Sequence, residues 1–157
     1  MPAWPARAAA LSVGPGQWLE PDQVTIGPAP NLPPGSALFY NPGNSETNTY
    51  TGTVFLSNTN APVSLPGGLY TLVGSLPPIG VTTLEDTNLN LPLQSGDAVL
   101  LWDSVHNAYL TYTYISPGQW LEPDQVTIGA SPSLNVAQGF FYNPGNNETW
   151  SQNLNVQ

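Results

Sequence analysis

The chain has one histidine, His106, and no cysteine, so few residues could form a nucleophile and base pair. A Ser-His-Asp mechanism needs a histidine that takes the hydroxyl proton, and only His106 could do so. His106 lies in the stretch 103–107 between two apolar runs, where a polar residue is typical of a solvated turn. We therefore interpret His106 as a turn residue and expect no enzymatic activity.

Carboxylates occur as two identical pairs. The sequence GQWLEPDQ carries Glu20 and Asp22, and its second copy carries Glu122 and Asp124. Carboxyl groups roughly 5–9.5 Å apart are the machinery of glycoside hydrolases. The proline inside each pair indicates a rigid turn instead, so we do not expect hydrolysis. Calcium held by these four acids is an alternative, although no Asp-x-Asp-x-Asp-Gly loop is present. Asp97 and Asp103 are further carboxylates available to calcium.

Trp18 and Trp120 occupy matched positions among polar residues. A flat aromatic face beside polar side chains is a common way to hold a sugar ring, with Asp22 and Asp124 as the polar partners. Two equal sites would also increase avidity for a polysaccharide. The interpretation that we favour is that each tryptophan anchors its own segment to the core, as most tryptophans do. In that case neither ring is free to stack on a sugar.

A duplicated segment organises the chain. Residues 15–27 recur unchanged as residues 117–129, and FYNPGN at 39–44 recurs at 141–146, with an offset of 102 residues in both cases. The stretch between the copies occurs once. We expect a truncated repeat over about 15–48, a full repeat period over about 49–150 and a closing strand over 150–157. Residues 1–14 are interpreted as a leader or tail before a single β domain, 15–157.

The sequence predicts an all-β fold. It contains 18 prolines and 15 glycines, which disfavour long helices. Short runs rich in aromatic and β-branched residues are separated by turn residues, as in a β-sandwich or a barrel-like arrangement of antiparallel strands. The expected strands are 24–26 and 126–128, 37–40 and 139–142, 49–57, 69–75, and a hairpin of 98–102 with 108–115. Trp102, Trp150, Phe39, Phe55, Phe140 and Phe141 are the expected aromatic core residues.

The formal net charge is −9 because ten acids accompany a single basic residue, Arg7. Nucleic acids and anionic membrane surfaces are bound by clustered Lys and Arg, so neither partner is expected. No apolar run approaches the roughly 18 residues that a membrane-spanning helix needs. The expected partners are neutral or cationic.

Four stretches in a fixed order resemble a known repeat module. They are LPGGLYTLVGSLP at 65–77, GDAVLLWDSVHNAYLTYTYI at 96–115, GQWLEPD at 118–124 and NVAQGFFYNPGNNETW at 135–150. The order and motifs are similar to an uncharacterised module of secreted and surface proteins in planctomycete and verrucomicrobial bacteria. The resemblance implies an extracellular or cell-surface architectural piece to which no catalytic activity is assigned. Apart from the calcium considered above, no cofactor is expected.

The expected function is therefore structural or adhesive. A strand at the carboxyl end would expose a sheet edge, which could pair with another copy of the chain or with a neighbouring module. The alternative is a carbohydrate-binding module that uses Trp18 and Trp120 to hold polysaccharide.

Overall fold

The fold is all-β. The structure, a computed structural model, describes residues 11–14, 17–19, 22, 24–29, 37, 62–74, 83–135 and 138–152. Eleven strands and no helix occur in these ranges, so no helix there is long and apolar enough to cross a membrane. The chain divides into two compact units, Met1–Pro33 and Pro34–Gln157. This division differs from the expected boundary between a leader, 1–14, and one β domain.

The first unit holds a three-stranded antiparallel sheet of order β1-β2-β3. Its strands are β1 (Leu11–Gly14), β2 (Gln17–Leu19) and β3 (Ile26–Gly27). Strands β1 and β2 pair with a bulge between Ser12 and Gly14. Part of the predicted leader is therefore the first strand of this sheet.

The second unit holds a six-stranded antiparallel sheet of order β5-β10-β6-β7-β8-β9 and a two-stranded sheet of order β11-β4. The strands are β4 (Val63–Leu65), β5 (Thr71–Gly74), β6 (Ala98–Asp103), β7 (Ala108–Ser116), β8 (Gln119–Leu121), β9 (Ile128–Gly129), β10 (Gly139–Asn143) and β11 (Glu148–Trp150). Strand β10 therefore lies between β5 and β6, far from both in sequence.

The β6–β7 hairpin confirms the prediction for residues 98–115. Pairing runs without a break from Ala98 with Thr113 to Asp103 with Ala108. Alternate residues of a strand point to opposite faces of the sheet. Val99 and Leu101 accordingly join the core, whereas Trp102 lies on the other face and is 41% exposed.

Strands β5 and β10 confirm two further predictions, and the strands β1, β2, β4 and β8 were missed. The missed strands have three or four residues each, too few to show alternation in the sequence. Strand β11 ends at Trp150, the residue at which the predicted closing strand, 150–157, begins. The predicted strands 49–57 and most of 37–40 lie outside the described residues, as do Phe39 and Phe55. The segment 83–90 forms successive hydrogen-bonded turns.

The core lies between the six-stranded sheet, the two-stranded sheet and the loop 83–93. Its fully buried large side chains include Trp120, Trp150, Tyr142 and Phe140. The Trp150 ring NH donates to the carbonyl of Leu89 at 2.7 Å, which fastens β11 to the loop. Burying a large apolar side chain contributes roughly 1.5–3 kcal/mol. Trp150, Phe140 and Phe141 are buried as predicted.

Candidate functional site

The second acidic motif is a closed turn. Asp124 Oδ1 accepts hydrogen bonds from the backbone NH groups of Val126 and Thr127, at 2.9 and 2.8 Å. Its Oδ2 accepts from the Thr127 hydroxyl at 2.6 Å. These bonds, that of the hydroxyl first, lower the pKa of Asp124. Both carboxylate oxygens are therefore engaged within four residues of chain.

The first acidic motif forms the same turn. Asp22 accepts from Val24 NH at 2.9 Å, from Thr25 NH at 2.8 Å and from the Thr25 hydroxyl at 2.6 Å. The pKa of Asp22 is lowered for the same reasons in the same order. The two copies therefore use their aspartates to hold a turn.

Strand pairing around the two turns also matches. Trp18 pairs with Gly27, and Trp120 pairs with Gly129, each next to a Leu–Ile pair. A bulge precedes both, between Ser12 and Gly14 in one unit and between Tyr114 and Ser116 in the other. These pairs are all offset by 102 residues, so the two identical sequences adopt the same local structure.

Among the described residues, the acids that the sequence offered for calcium do not converge on a metal site. Glu20 lies outside the described residues, and the side chain of Glu122 lies across Gly129. Within the described ranges, no three His, Asp or Glu side chains converge as metal ligands. Calcium at Glu20, Asp22, Glu122 and Asp124 stays a prediction.

The assignment of Trp120 as a sugar-binding residue is wrong. This side chain is 0% exposed and packs edge-on against Tyr114, with ring centroids 5.2 Å apart. A buried ring cannot stack on a sugar, so Trp120 anchors its segment to the core, as the interpretation favoured from the sequence has it. Trp18 is half-buried. Its ring keeps some surface, but the matched pair of binding sites is absent.

Three aromatic side chains pack in a row that is exposed at one end. Trp102 packs edge-on against Tyr109 across the hairpin, with centroids 4.9 Å apart, and Tyr109 packs edge-on against Phe141 at 5.5 Å. We call Trp102, Tyr109 and Phe141 the aromatic row. Phe141 is buried whereas Trp102 is 41% exposed, so the prediction of Trp102 as a core residue is wrong. One end of the row faces solvent with its ring orientation fixed.

His106 lies in the β6–β7 turn, as predicted. Its Nδ1 is hydrogen-bonded to Asp103 Oδ2 at 2.5 Å, and Asp103 Oδ1 accepts from Val105 NH at 2.8 Å. The hydrogen bond from His106 is the largest cause of the lowered pKa of Asp103. The pair closes an exposed turn.

A buried polar cluster was not predicted. Asp97 is 1% exposed, and its Oδ2 accepts from the Tyr142 hydroxyl at 2.5 Å and from Gln94 NH at 2.7 Å. Its Oδ1 accepts from Gly145 NH at 2.8 Å. Tyr142 lies 45 residues away in the sequence, so no local pattern links the two. Burial, followed by the bond to Asp97, raises the pKa of Tyr142.

Glu148 lies at the edge of this cluster. The Tyr142 hydroxyl, whose shorter hydrogen bond goes to Asp97, also lies 3.3 Å from Glu148 Oε2, which is its second acceptor. Glu148 Oε1 is buried and has no hydrogen-bond partner among the described residues. Desolvation, with the charge of Asp97 second, raises the pKa of Glu148.

The turn between β10 and β11 is held by residues from two other segments. Pro144 O accepts from Gly68 NH at 2.8 Å, and Asn147 Oδ1 accepts from Gly67 NH at 2.9 Å. The Asn146 amide donates to Gln94 Oε1 at 3.3 Å. We call Gly67, Gly68, Gln94 and Asp97, together with the facing edges of β5 and β6, the seat of residues 139–149.

An open depression of about 260 Å³ lies beside the loop 83–93. It is lined by Leu84, Glu85, Asp86, Thr87, Asn90, Leu91, Leu93 and Tyr114. Its Glu85 carboxylate accepts from Gly118 NH at 2.9 Å and 3.2 Å. This acid therefore holds the β7–β8 turn.

Comparison of the chain with family models, with curated proteins and with solved structures finds no match in any of the three.

Proposed function

We propose that the chain is a non-catalytic structural module of the extracellular space or cell surface, which associates with copies of itself or with neighbouring modules. The observation that carries the proposal is the pair of identical segments with the same pairing and the same turn. Their conspicuous groups, Asp22, Asp124 and Trp120, serve architecture in these contacts. The resemblance to a repeat module of secreted proteins supports the same function.

The absence of an assembled set of reacting groups in the described residues supports a structural role. His106 and Asp103 bond to each other in an exposed turn. Asp97 is buried among backbone and tyrosine donors. A general acid or base has to reach the substrate proton. These groups are better placed to hold the chain than to transfer protons.

Two sheet edges offer surfaces for association. Strands β3 and β9 each end the order of their sheets, and edge strands carry backbone groups able to pair with another chain. Ile26 and Ile128 on these strands are 58% and 59% exposed, and the nearby Val24 and Val126 are 82% and 81% exposed. Each unit therefore presents the same apolar pair beside a sheet edge.

Light scattering over a range of protein concentrations tests the proposal. We expect oligomers whose mass rises with concentration and falls when Ile128 is changed to Lys. The substitution Ile26→Lys is the matched change in the other unit. Because both side chains are exposed, neither change should lower the melting temperature much. A chain that stays monomeric at every concentration and salt level would refute self-association.

A second function, carbohydrate binding, is favoured by the exposed end of the aromatic row. Trp102 offers a ring face fixed by Tyr109, and an exposed aromatic face is suited to stacking on a sugar. Retention on insoluble polysaccharides tests it. We expect Trp102→Ala to lose retention while Trp18→Ala, in the other unit, keeps it. No retention of the unaltered protein rejects this function.

A further inference from the structure

We propose that the outer edge of β9 pairs with the β9 edge of a second copy of the chain, antiparallel and about a two-fold axis at Ile128. The inference rests on the proposed self-association and names the strand that carries it. The matching edge of β3 is blocked by Pro28, so only one of these two edges is open and the product is a dimer.

The hydrogen bonds of β9 leave one side of the strand unpaired. Glu122 NH donates to the Thr127 carbonyl at 2.8 Å, and Leu121 faces Ile128 in the next pair, which is the non-hydrogen-bonded kind. The backbone NH and carbonyl of Ile128 therefore point away from β8, and those of Ala130, two residues further, point the same way. Among the described residues no strand pairs with this outer edge.

The outer edge is open over residues 126–130. Beyond them the Pro132 carbonyl accepts from Leu84 NH at 3.0 Å, so another segment of the chain covers the edge from there. Before them the Val126 NH donates to Asp124 Oδ1, while the Val126 carbonyl has no partner among the described residues. The open edge therefore accommodates a short strand and no more.

A second copy supplies a strand that matches this edge. In an antiparallel pair centred on Ile128, the two Ile128 residues exchange NH and carbonyl groups. The Ala130 NH of each copy then meets the Val126 carbonyl of the other. Every outward donor finds an acceptor except the Val126 NH, which Asp124 already holds. The contact uses the same surface on both copies, so it closes at two chains.

The side chains of this edge suit a contact between two acidic chains. Val126 and Ile128 are 81% and 59% exposed and share one face, so they bring apolar surface to the pair. None of residues 126–130 is charged. Both oxygens of Asp124 bond within its own turn, and the Glu122 carboxylate lies across its own hairpin. The charged side chains that commonly protect an edge strand are therefore absent from this stretch.

The equivalent edge of the first unit is blocked by one residue. Strand β3 repeats the sequence and the pairing of β9 up to Gly27, the counterpart of Gly129. The next residue is Pro28 in the first unit and Ala130 in the second. Proline has no NH, and proline on an edge strand prevents pairing. Two open edges on each chain would link copies into fibres, whereas one blocked edge limits this association to a pair.

Exchanging these two residues tests the proposal. Ala130→Pro gives β9 the proline that β3 has, at an exposed position of matching local structure, so we expect the melting temperature to be unchanged. Sedimentation equilibrium should show the dissociation constant of the dimer rising roughly tenfold or more, because a hydrogen bond is lost on each side of the pair. Pro28→Ala is the matched control, which should leave the dimer intact and add larger assemblies.

Disulfide formation gives a second measurement that does not depend on proline. The chain has no native cysteine, and Ile128→Cys places two thiols on either side of the two-fold axis. Ile26→Cys is the matched control, since Ile26 is 58% exposed in the same sequence of the other unit. Under mild oxidation at equal concentration, we expect the disulfide-linked dimer to form several-fold faster from Ile128→Cys.

The outcomes separate this pairing from self-association in general. An unaltered chain that is monomeric at every concentration would overturn both. Oligomers that persist in folded Ala130→Pro, or equal disulfide rates in the two cysteine variants, would overturn the β9 pairing alone, and self-association would then use another surface. If Ala130→Pro lowers the melting temperature, the comparison of the two cysteine variants decides.

Discussion

Trp102 and Trp120 have opposite environments, although both lie in strands of the same sheet. Trp120 is fully buried against Tyr114, and Trp102 is partly exposed beside Tyr109. The sequence predicted a buried Trp102, because it lies in an apolar run, and left Trp120 between a core anchor and an exposed binding residue, because its neighbours are polar. Which face of each strand is covered depends on distant segments, so local polarity was a poor guide to burial.

Removing each ring measures this difference. Trp120→Ala leaves a large cavity in the core, and we expect it to lower the unfolding free energy by about 3–5 kcal/mol. Trp102→Ala removes a ring with much solvent contact and should cost about 1 kcal/mol, the size of an aromatic pair term. Urea unfolding followed by circular dichroism gives both values. Equal losses would contradict the assigned burial.

Glu148 makes stability depend on pH. Folding raises its pKa above the ordinary value of 4.5, so the folded state holds the proton more tightly than the unfolded chain. The resulting stabilisation is complete below 4.5 and is lost as the pH rises through the raised pKa. We expect Glu148→Gln to flatten the fall in melting temperature towards neutral pH. An unchanged pH profile in this variant would contradict the prediction.

Asp124 provides the control of opposite sign. Its pKa is lowered from 3.8, so its stabilisation is present above that value and is lost as the pH falls through the lowered pKa. Asp124→Asn should therefore lower the melting temperature above pH 3.8 and flatten the fall in melting temperature at the acid end. The slopes that the two variants remove lie in separate pH ranges.

Among the elements, the strands with clear alternation could be predicted and the long-range pairings could not. The hairpin β6–β7 and strand β10 follow from aromatic and β-branched runs bounded by turn residues. The insertion of β10 between β5 and β6 leaves no trace in local sequence. The cluster of Asp97 and Tyr142 depends on that insertion. For this reason the acids of the turns were noticed and the buried cluster was not.

The turn after β10 depends on close approach of Gly67. A Cβ at Gly67 would lie 2.7 Å from the backbone carbon of Asn146, whereas a Cβ at Gly145 would have its nearest neighbour at 3.8 Å. We expect Gly67→Ala to displace the turn and to cost roughly 1–3 kcal/mol, as overpacking does. Gly145→Ala is the matched control with room for a methyl group. Thermal unfolding of the two variants checks the prediction, and similar melting temperatures would refute it.

At the scale of the whole molecule, the charge of −9 opposes any association of copies. Repulsion between like-charged chains is screened by salt and removed near the isoelectric point of about 4.1. We expect the average mass in solution to rise with added salt at pH 7 and as the pH is lowered towards that value. Light scattering measures it. A mass that falls with added salt would indicate association through ion pairs.

The two repeated segments touch each other at one pair of equivalent positions. A Cβ at Gly139 would lie 2.8 Å from the methyl carbon of Ala37, its own counterpart in the other copy. Alanine at both positions would bring two methyl groups too close, so at least one of the two residues must be glycine. A change from glycine at position 139 is therefore tolerated only if Ala37 changes as well.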